Sequence, residues 1–260
     1  MSIKLPKWLT LPETRDVTSL DDPTVTSLHA QIIQKKPFLR RLYLDFYRQF
    51  EKALASVEGK VIVELGSGGG FIKQVIPNAI TSDMLDLPTV DKVFAAENMP
   101  FEDADVDAFV MFDVFHHIAD PRAFLVEAVR CLKVGGKIVM IEPANTPWGR
   151  FIYKNFHHEN FAPDAEWKLK SSRPLSCANS ALAWIVFRRD RKTFESQFPS
   201  LKIVSMQCHT PFRYLLSGGF TLRQLAPACA YTFVKTCEKL LSPFNSLLGM
   251  FVTIELQKTA

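Results

Sequence analysis

Glu64, Gly66, Gly68 and Gly70 lie together in the stretch "VIVELGSGGG", and four of the chain's 11 glycines fall between positions 66 and 70. An acid next to a backbone without Cβ atoms lets a ligand come close to the chain. The acid suits a ligand bearing an ammonium group and repels a pyrophosphate. Farther along, Asp83 ends "NAITSD", His116 and His117 follow "VDAFVMFDVF", and Glu142 ends "KIVMIE". An imidazole titrates near neutrality, so either histidine can serve as a base. Each can also be packing or lining instead. Glu142 can bind a substrate or cap the segment after it.

These residues share one property: each ends or follows a short apolar run. The runs at 60–65, 78–83, 90–96, 106–115 and 137–144 read as buried parallel strands. A short helix is expected over 70–76, ended by Pro77. A longer one is expected over 120–134, with Asp120 as cap, Pro121 in its first turn and Gly135-Gly136 as its stop. Alternating strands and helices make right-handed βαβ units. In such sheets ligands sit beyond the carboxyl ends of the strands, where strand order reverses. The candidate residues would therefore face one edge.

Residues 22–56 read as helices, with Asp22 as cap, Pro23 in the first turn, a restart at Pro37 and a basic face at Arg40, Arg41 and Arg48. After 145 the rhythm breaks. A helix is expected over 180–198, capped by Asn179 or Ser180, and strands over 201–208 and 250–257. The resulting division is a helical cap over 1–57 and a core over 58–260, with lid insertions at about 146–180 and 211–249.

The dinucleotide fingerprint G-x-G-x-x-G/A requires a small residue at 71, where Phe71 stands. The pattern that fits is E-x-G-x-G-x-G. "VELGSGGG" resembles the first motif of class I S-adenosylmethionine-dependent methyltransferases. The span 58–145 is similar to the type 11, small-molecule branch. The matching pieces are Met99 to Phe101, "DVDAFV", "HHI", "EAVRCLKVGG" and "IEP". The resemblance implies a Rossmann-like α/β fold, a seven-stranded sheet with its last strand antiparallel, and S-adenosylmethionine as cofactor, left as S-adenosylhomocysteine. It implies a cofactor site at Glu64, Gly66, Ser67, Gly68, Gly70, Asp83, Met84, Glu97, Met99 and Phe112. Asp83 would hold the ribose hydroxyls in preference to Asp86. Phe112 and Asp113 lie where the family meets the methionine part. The family's adenine-binding acid falls near Ala95, with Glu97 or a backbone group as its substitute. The usual helix after Asp83 is reduced to a loop.

Methyl transfer at a sulfonium carbon needs mainly position and orientation, and a base only where the nucleophile must lose a proton. His116 and His117 are the candidate catalytic residues. Glu142, Trp148, Arg150 and Tyr153 are the candidate substrate residues, the last three on an aromatic lid with Lys154, His157 and His158. No metal is expected, since no third and fourth ligand stand in evident spacing. The lid and the basic residues at 188–192 suit an amphiphilic or anionic small acceptor. A formal charge of +4 is too mild to imply nucleic acid, and no N-P-P-Y or D-P-P-Y stretch marks a base methylase. Five cysteines without C-x-x-C spacing read as thiols of a cytoplasmic protein. No signal peptide or spanning segment is expected, though contact with a membrane surface is open. The rival readings are a methyltransferase-like scaffold or sensor and an NAD(P)-dependent oxidoreductase.

Overall fold

The computed structural model describes residues 6–15, 22–57, 61–157, 159–169 and 178–259. Seven strands form one sheet: β1 (Ile62–Glu64), β2 (Ile80–Asp83), β3 (Lys92–Val93), β4 (Val106–Phe112), β5 (Leu132–Pro143), β6 (Leu201–His209) and β7 (Phe251–Lys258). Their order is β3-β2-β1-β4-β5-β7-β6. The first five run parallel, and β7 is antiparallel to both β5 and β6. This is the Rossmann-like arrangement expected, with the switch point between β1 and β4. β1, β4 and most of β5 are buried on both faces, which is why they read as unbroken apolar runs.

The helices start where local chemistry sets them. Asp22 accepts a hydrogen bond from the Thr24 amide ahead of α1 (Pro23–Lys35). Pro37 begins α2 (Pro37–Ala53). Asp120 accepts from the Arg122 and Ala123 amides ahead of α3 (Pro121–Cys131). Thr146 accepts from the Gly149 amide ahead of α4 (Pro147–Phe156). Phe38, Leu42, Phe46 and Phe50 of α2 are fully buried, and they join the same core as the strands.

Several expectations need correction. After the glycines stands only one 3₁₀ turn, Ile72–Gln74. Pro77 follows so soon that no second turn can propagate. Residues 84–91 carry no helix, as the short spacing implied. The expected helix over 180–198 is broken. α5 (Leu182–Trp184) runs into a π-helical turn, Ile185–Arg189, before α6 (Arg191–Gln197). At the break, Asp190 accepts from Arg189 and from the Trp167 indole. The side chain of Asn179, not Ser180, accepts from the Ala181 amide.

The second insertion is helical, with α7 (Arg213–Ser217), α8 (Tyr231–Leu240) and α9 (Asn245–Leu248). A buried network ties it to α2. Arg213 pairs with Glu238 and, at 2.7 Å, with Asp45. Asp45 also accepts from the Tyr231 hydroxyl at 2.6 Å and from Lys235 at 2.8 Å. The basic face of α2 is partly consumed in this way. Arg41 lies over the Tyr231 ring and donates to the Ala228 carbonyl, while Arg40 packs on Phe71 and donates to Gln74. Among the described residues no helix is long and apolar enough to cross a membrane.

Candidate active site

A cavity of about 790 Å³ opens at the carboxyl ends of β1, β2 and β4. Its size is near the upper end for small-molecule sites, which run to about 1,000 Å³. Glu64, Gly66, Ser67, Gly68 and Gly70 line it together with Asp83, Met84, Glu97 and Phe112. α2 covers one side with Tyr43 and Tyr47. The insertion closes another with Tyr214, Phe220 and Leu222.

The glycine turn is shaped from within. Gly66 and Gly68 have φ of 64° and 49°, a region that side chains other than glycine rarely adopt. A Cβ on Gly70 would stand 2.5 Å from the Tyr47 hydroxyl. That hydroxyl accepts from the Phe71 amide, so the turn is fastened to the helical cap. Asp83 crosses to the turn, with one carboxylate oxygen accepting from the Gly68 amide and the other from Leu85. Each oxygen keeps a further acceptor site for a ligand hydroxyl. Asp86 is exposed and does not line the cavity.

Glu64 is the electrostatic anomaly of this end. It is buried, and its Oε2 has no hydrogen-bond partner. Burial pushes its carboxyl up to about 8, with Asp83 adding to the rise and a Ser67 contact opposing it. A buried acceptor without a donor is costly. A cationic donor in the cavity would remove that cost.

The two histidines separate. His116 is fully buried and does not line the cavity. Its Nδ1 lies 2.7 Å from Glu142 and its Nε2 3.1 Å from Glu159. Burial disfavours its charge, but the two carboxylates override that and hold it well above its ordinary range. It is an imidazolium bolted between two acids, not a base at the cavity wall. Glu142 is likewise withdrawn, spending its other oxygen on the Val114 and Phe115 amides. It neither lines the cavity nor caps the next segment, a role that Thr146 fills.

His117 does line the cavity. Burial, with the His116 charge beside it, holds it below its ordinary value. Its Nε2 is 3.4 Å from Glu159 and its Nδ1 has no partner. Asp113 also lines the cavity, with φ of 60° and its carboxylate 3.9 Å from His116 Nδ1. Burial pushes Asp113 up to about 7, and Glu159 and Glu142 add to the rise while His116 opposes it. Glu159, which also accepts from the Ser180 hydroxyl, is drawn well below the usual carboxylate range by His116 and His117 against the opposing effect of burial.

Other expected residues are placed elsewhere. Trp148 donates to the Pro211 carbonyl, Arg150 is an exposed partner of Asn145, and neither lines the cavity. Tyr153 lines it, its hydroxyl donating to the Met250 carbonyl. Met99 is buried behind the wall, its amide held by Glu127. Ala95 lines the wall between Phe94 and Glu97, and Glu97 accepts a long bond from the Asp120 amide. His157 lines the mouth, whereas His158 and Cys177 lie outside the described residues. Cys131, Cys208, Cys229 and Cys237 are unpaired.

Sequence reasoning missed Glu159, Tyr43, Tyr47 and His29. Glu159 was visible only as the one carboxylate in "NFHHENF". It also gives His116 and His117 a third metal-capable donor, all three within 4.8 Å of one another. The spacing in the chain did not foresee that grouping. Among the described residues, six carboxylates line the cavity (Glu64, Asp83, Glu97, Asp113, Asp120 and Glu159), and no Lys or Arg does. The basic residues read as favouring an anionic acceptor are elsewhere. Arg189, for one, is fastened to Asp190 and to the carbonyls of Pro163 and Ala165.

Residues 63–140 match the family model described as a methyltransferase domain. No curated protein matches the chain. Among solved structures, geranyl diphosphate C-methyltransferase of Streptomyces coelicolor A3(2), held with Mg²⁺, geranyl-S-thiolodiphosphate and S-adenosylhomocysteine, is 14% identical with a TM-score of 0.51. The alignment covers 85% of this chain and 78% of that one. The same enzyme with geranyl diphosphate gives 14% identity and a TM-score of 0.50, covering 85% and 81%. A methyltransferase of Thermotoga maritima, described as a possible histamine N-methyltransferase, is 18% identical with a TM-score of 0.49, covering 84% and 89%. At such identities the likeness to solved structures is one of fold.

Proposed function

We propose that this chain is a class I S-adenosylmethionine-dependent methyltransferase of the type 11 branch, a reading supported by the methyltransferase-domain match over residues 63–140, and that it methylates a small acceptor held against Asp113, His117 and Glu159. The observation that carries the reading is Glu64, a buried acid with an unpartnered oxygen beside the glycine turn. An amino-acid ammonium there would satisfy it. Asp83 would take the ribose hydroxyls, and Met84 with Ala95 to Glu97 would frame the adenine. Phe112, Gly66, Ser67 and Gly68 would bound the methionine part.

S-adenosylmethionine, when bound, supplies an electrophilic methyl carbon on a sulfonium sulfur. The chain's own task is to hold the acceptor in line and keep water out. Tyr214, Phe220 and Leu222 supply cover on the lid side. His117, kept neutral, is the histidine placed to take a proton, and His116 positions Glu159. The unpaired thiols suit a reducing, cytoplasmic setting.

The oxidoreductase reading loses support. A nicotinamide dinucleotide needs a helix N-terminus for its pyrophosphate, and only Ile72–Gln74 follows the glycines. Ala95 in the place of the adenine-binding acid favours a second reading, a scaffold that binds cofactor without turnover. Isothermal titration with S-adenosylmethionine, S-adenosylhomocysteine and NAD tests the proposal. Micromolar binding of the two sulfur compounds alone is expected, and binding of NAD alone would overturn it. Release of S-adenosylhomocysteine on an acceptor panel separates enzyme from scaffold.

A further inference from the structure

We infer that the face formed by α4 and residues 211–249 docks on an anionic lipid bilayer, with the mouth of the cavity opening toward it. The inference concerns a surface and does not depend on the methyl-transfer reading.

Large apolar side chains are exposed mainly on one part of the molecule. Every exposed Phe and Leu among the described residues lies on α4 or within 211–249. Phe233 and Leu240 of α8 are 72% and 75% exposed. Single residues of this kind are ordinary on a surface, but a grouping marks a contact site. α9 packs on α4 and on the 3₁₀ turn Ser242–Phe244 that follows α8, so the exposed Phe151, Phe244 and Leu247 stand on adjoining elements.

α8 is apolar on two sides. Tyr231 and Glu238, seven positions apart, share its buried side. Phe233 and Leu240, also seven apart, share the opposite one, and Lys235 and Lys239 fall between. The inner side is covered by protein. An outer apolar side with lysines beside it is the pattern of a helix that lies in a membrane interface. Lysine stems can run along such a surface and carry their charge to the headgroups.

The charges select the occupant. Positions 147–156 and 211–249 hold six basic residues and a single acid, Glu238. That acid is buried against Arg213. Arg150, Lys154, Arg223, Lys235 and Lys239 are exposed, with Lys235 paired to Asp45. An isologous contact between two copies would set these bases against one another. Anionic headgroups complement them. Trp8, 70% exposed, stands on the segment that pairs with 221–223 through the Leu9–Arg223 and Leu11–Thr221 backbone bonds. An indole there suits the headgroup layer.

The same face meets the cavity. Phe156 and Leu225 are exposed and also line it. Apolar surface therefore runs from the outside of the molecule into the cavity, a path for an acceptor with an apolar tail.

The test uses the full, tag-free chain without cofactor. Sedimentation with vesicles of phosphatidylcholine and phosphatidylglycerol is compared with vesicles of phosphatidylcholine alone. Partition onto the anionic vesicles should be stronger by about tenfold or more and should fall as salt rises. Trp8 emission should shift to the blue on binding, and Trp8→Phe should remove the shift. The double variant Phe233→Gln/Leu240→Gln should lose about tenfold or more in partition, and Lys239→Glu should weaken it on the anionic vesicles. All three positions are exposed, so the variants should keep the wild-type circular dichroism. Equal binding to both vesicle types, or unchanged binding by the double variant, would overturn the inference. Sedimentation equilibrium without vesicles should show a monomer. A dimer that the double variant dissolves would assign the face to a second copy, and a monomer that binds neither vesicle would leave it to a protein partner; either result overturns the bilayer assignment.

Discussion

Binding of S-adenosylhomocysteine should expel a proton, and Glu64 should be its source. In the free protein burial holds that carboxyl at about 8, against 4.5 ordinarily. At pH 7 it is therefore protonated in about nine molecules of ten. A ligand ammonium placed on Oε2 favours the carboxylate and draws its pKa down. Close to 0.9 proton should leave per ligand bound. Ionising the group at pH 7 costs about 1.4 kcal/mol, so affinity should rise about ninefold between pH 6 and pH 7. The ligand's ammonium stays charged over that interval. Calorimetry at pH 7 in buffers of different ionisation enthalpy reads the proton count from the slope of observed heat. Glu64→Gln should abolish the slope and weaken binding. A slope of zero in the wild type, or one unchanged in the variant, would refute the assignment. The linkage also has a stability side. The folded pKa lies above the unfolded one, so the contribution is complete below pH 4.5 and is lost as pH rises to about 8. Without ligand the protein should lose up to about 1.4 kcal/mol per pH unit in that window. Glu64→Gln should flatten this in urea titrations.

Asp83→Ala removes the acceptor of the Gly68 and Leu85 amides; it should raise the Kd for S-adenosylhomocysteine by about tenfold or more, at 1.5–3 kcal/mol for bonds to a charged group. Gly68→Val should do the same through the strain of a β-branched residue at φ of 49°; both are read by calorimetry, and normal binding by both would displace the site. His116→Ala should lower stability by about 3–5 kcal/mol, because it strips Glu142 and Glu159 of a buried partner; a melting temperature equal to wild type would show that the cluster is not charged as described. Arg213→Met should cost a similar amount by leaving Asp45 and Glu238 buried without it, measured by urea unfolding.

Much of the framework was legible in the chain. β-branched and aromatic runs identified the strands, since a strand buried on both faces must be apolar throughout. Pro and Asp pairs marked the starts of α1 and α3, where an unsatisfied amide needs a side-chain acceptor. The glycines, the acid before them and Asp83 marked one end of the cavity, because all lie within or just beyond two consecutive strands. What failed had a common cause. His116, Glu142, Trp148 and Met99 stand at the right places along the chain, yet orientation is set by partners distant in sequence. Glu142 was turned from the cavity by three donors on one neighbouring loop.

By itself the sequence determined the sheet and the edge at which the glycine turn, Glu64 and Asp83 stand, both of which depend on local periodicity and on residues near strand ends. Tertiary structure alone decided the cluster around His116. Asp113 comes from after β4, Glu159 from beyond α4 and His116 from a buried turn, and 43 positions separate the last two. Their charges act on one another only where folding removes the water between them. That removal makes one histidine an imidazolium, leaves the next neutral and poises Asp113 near neutrality.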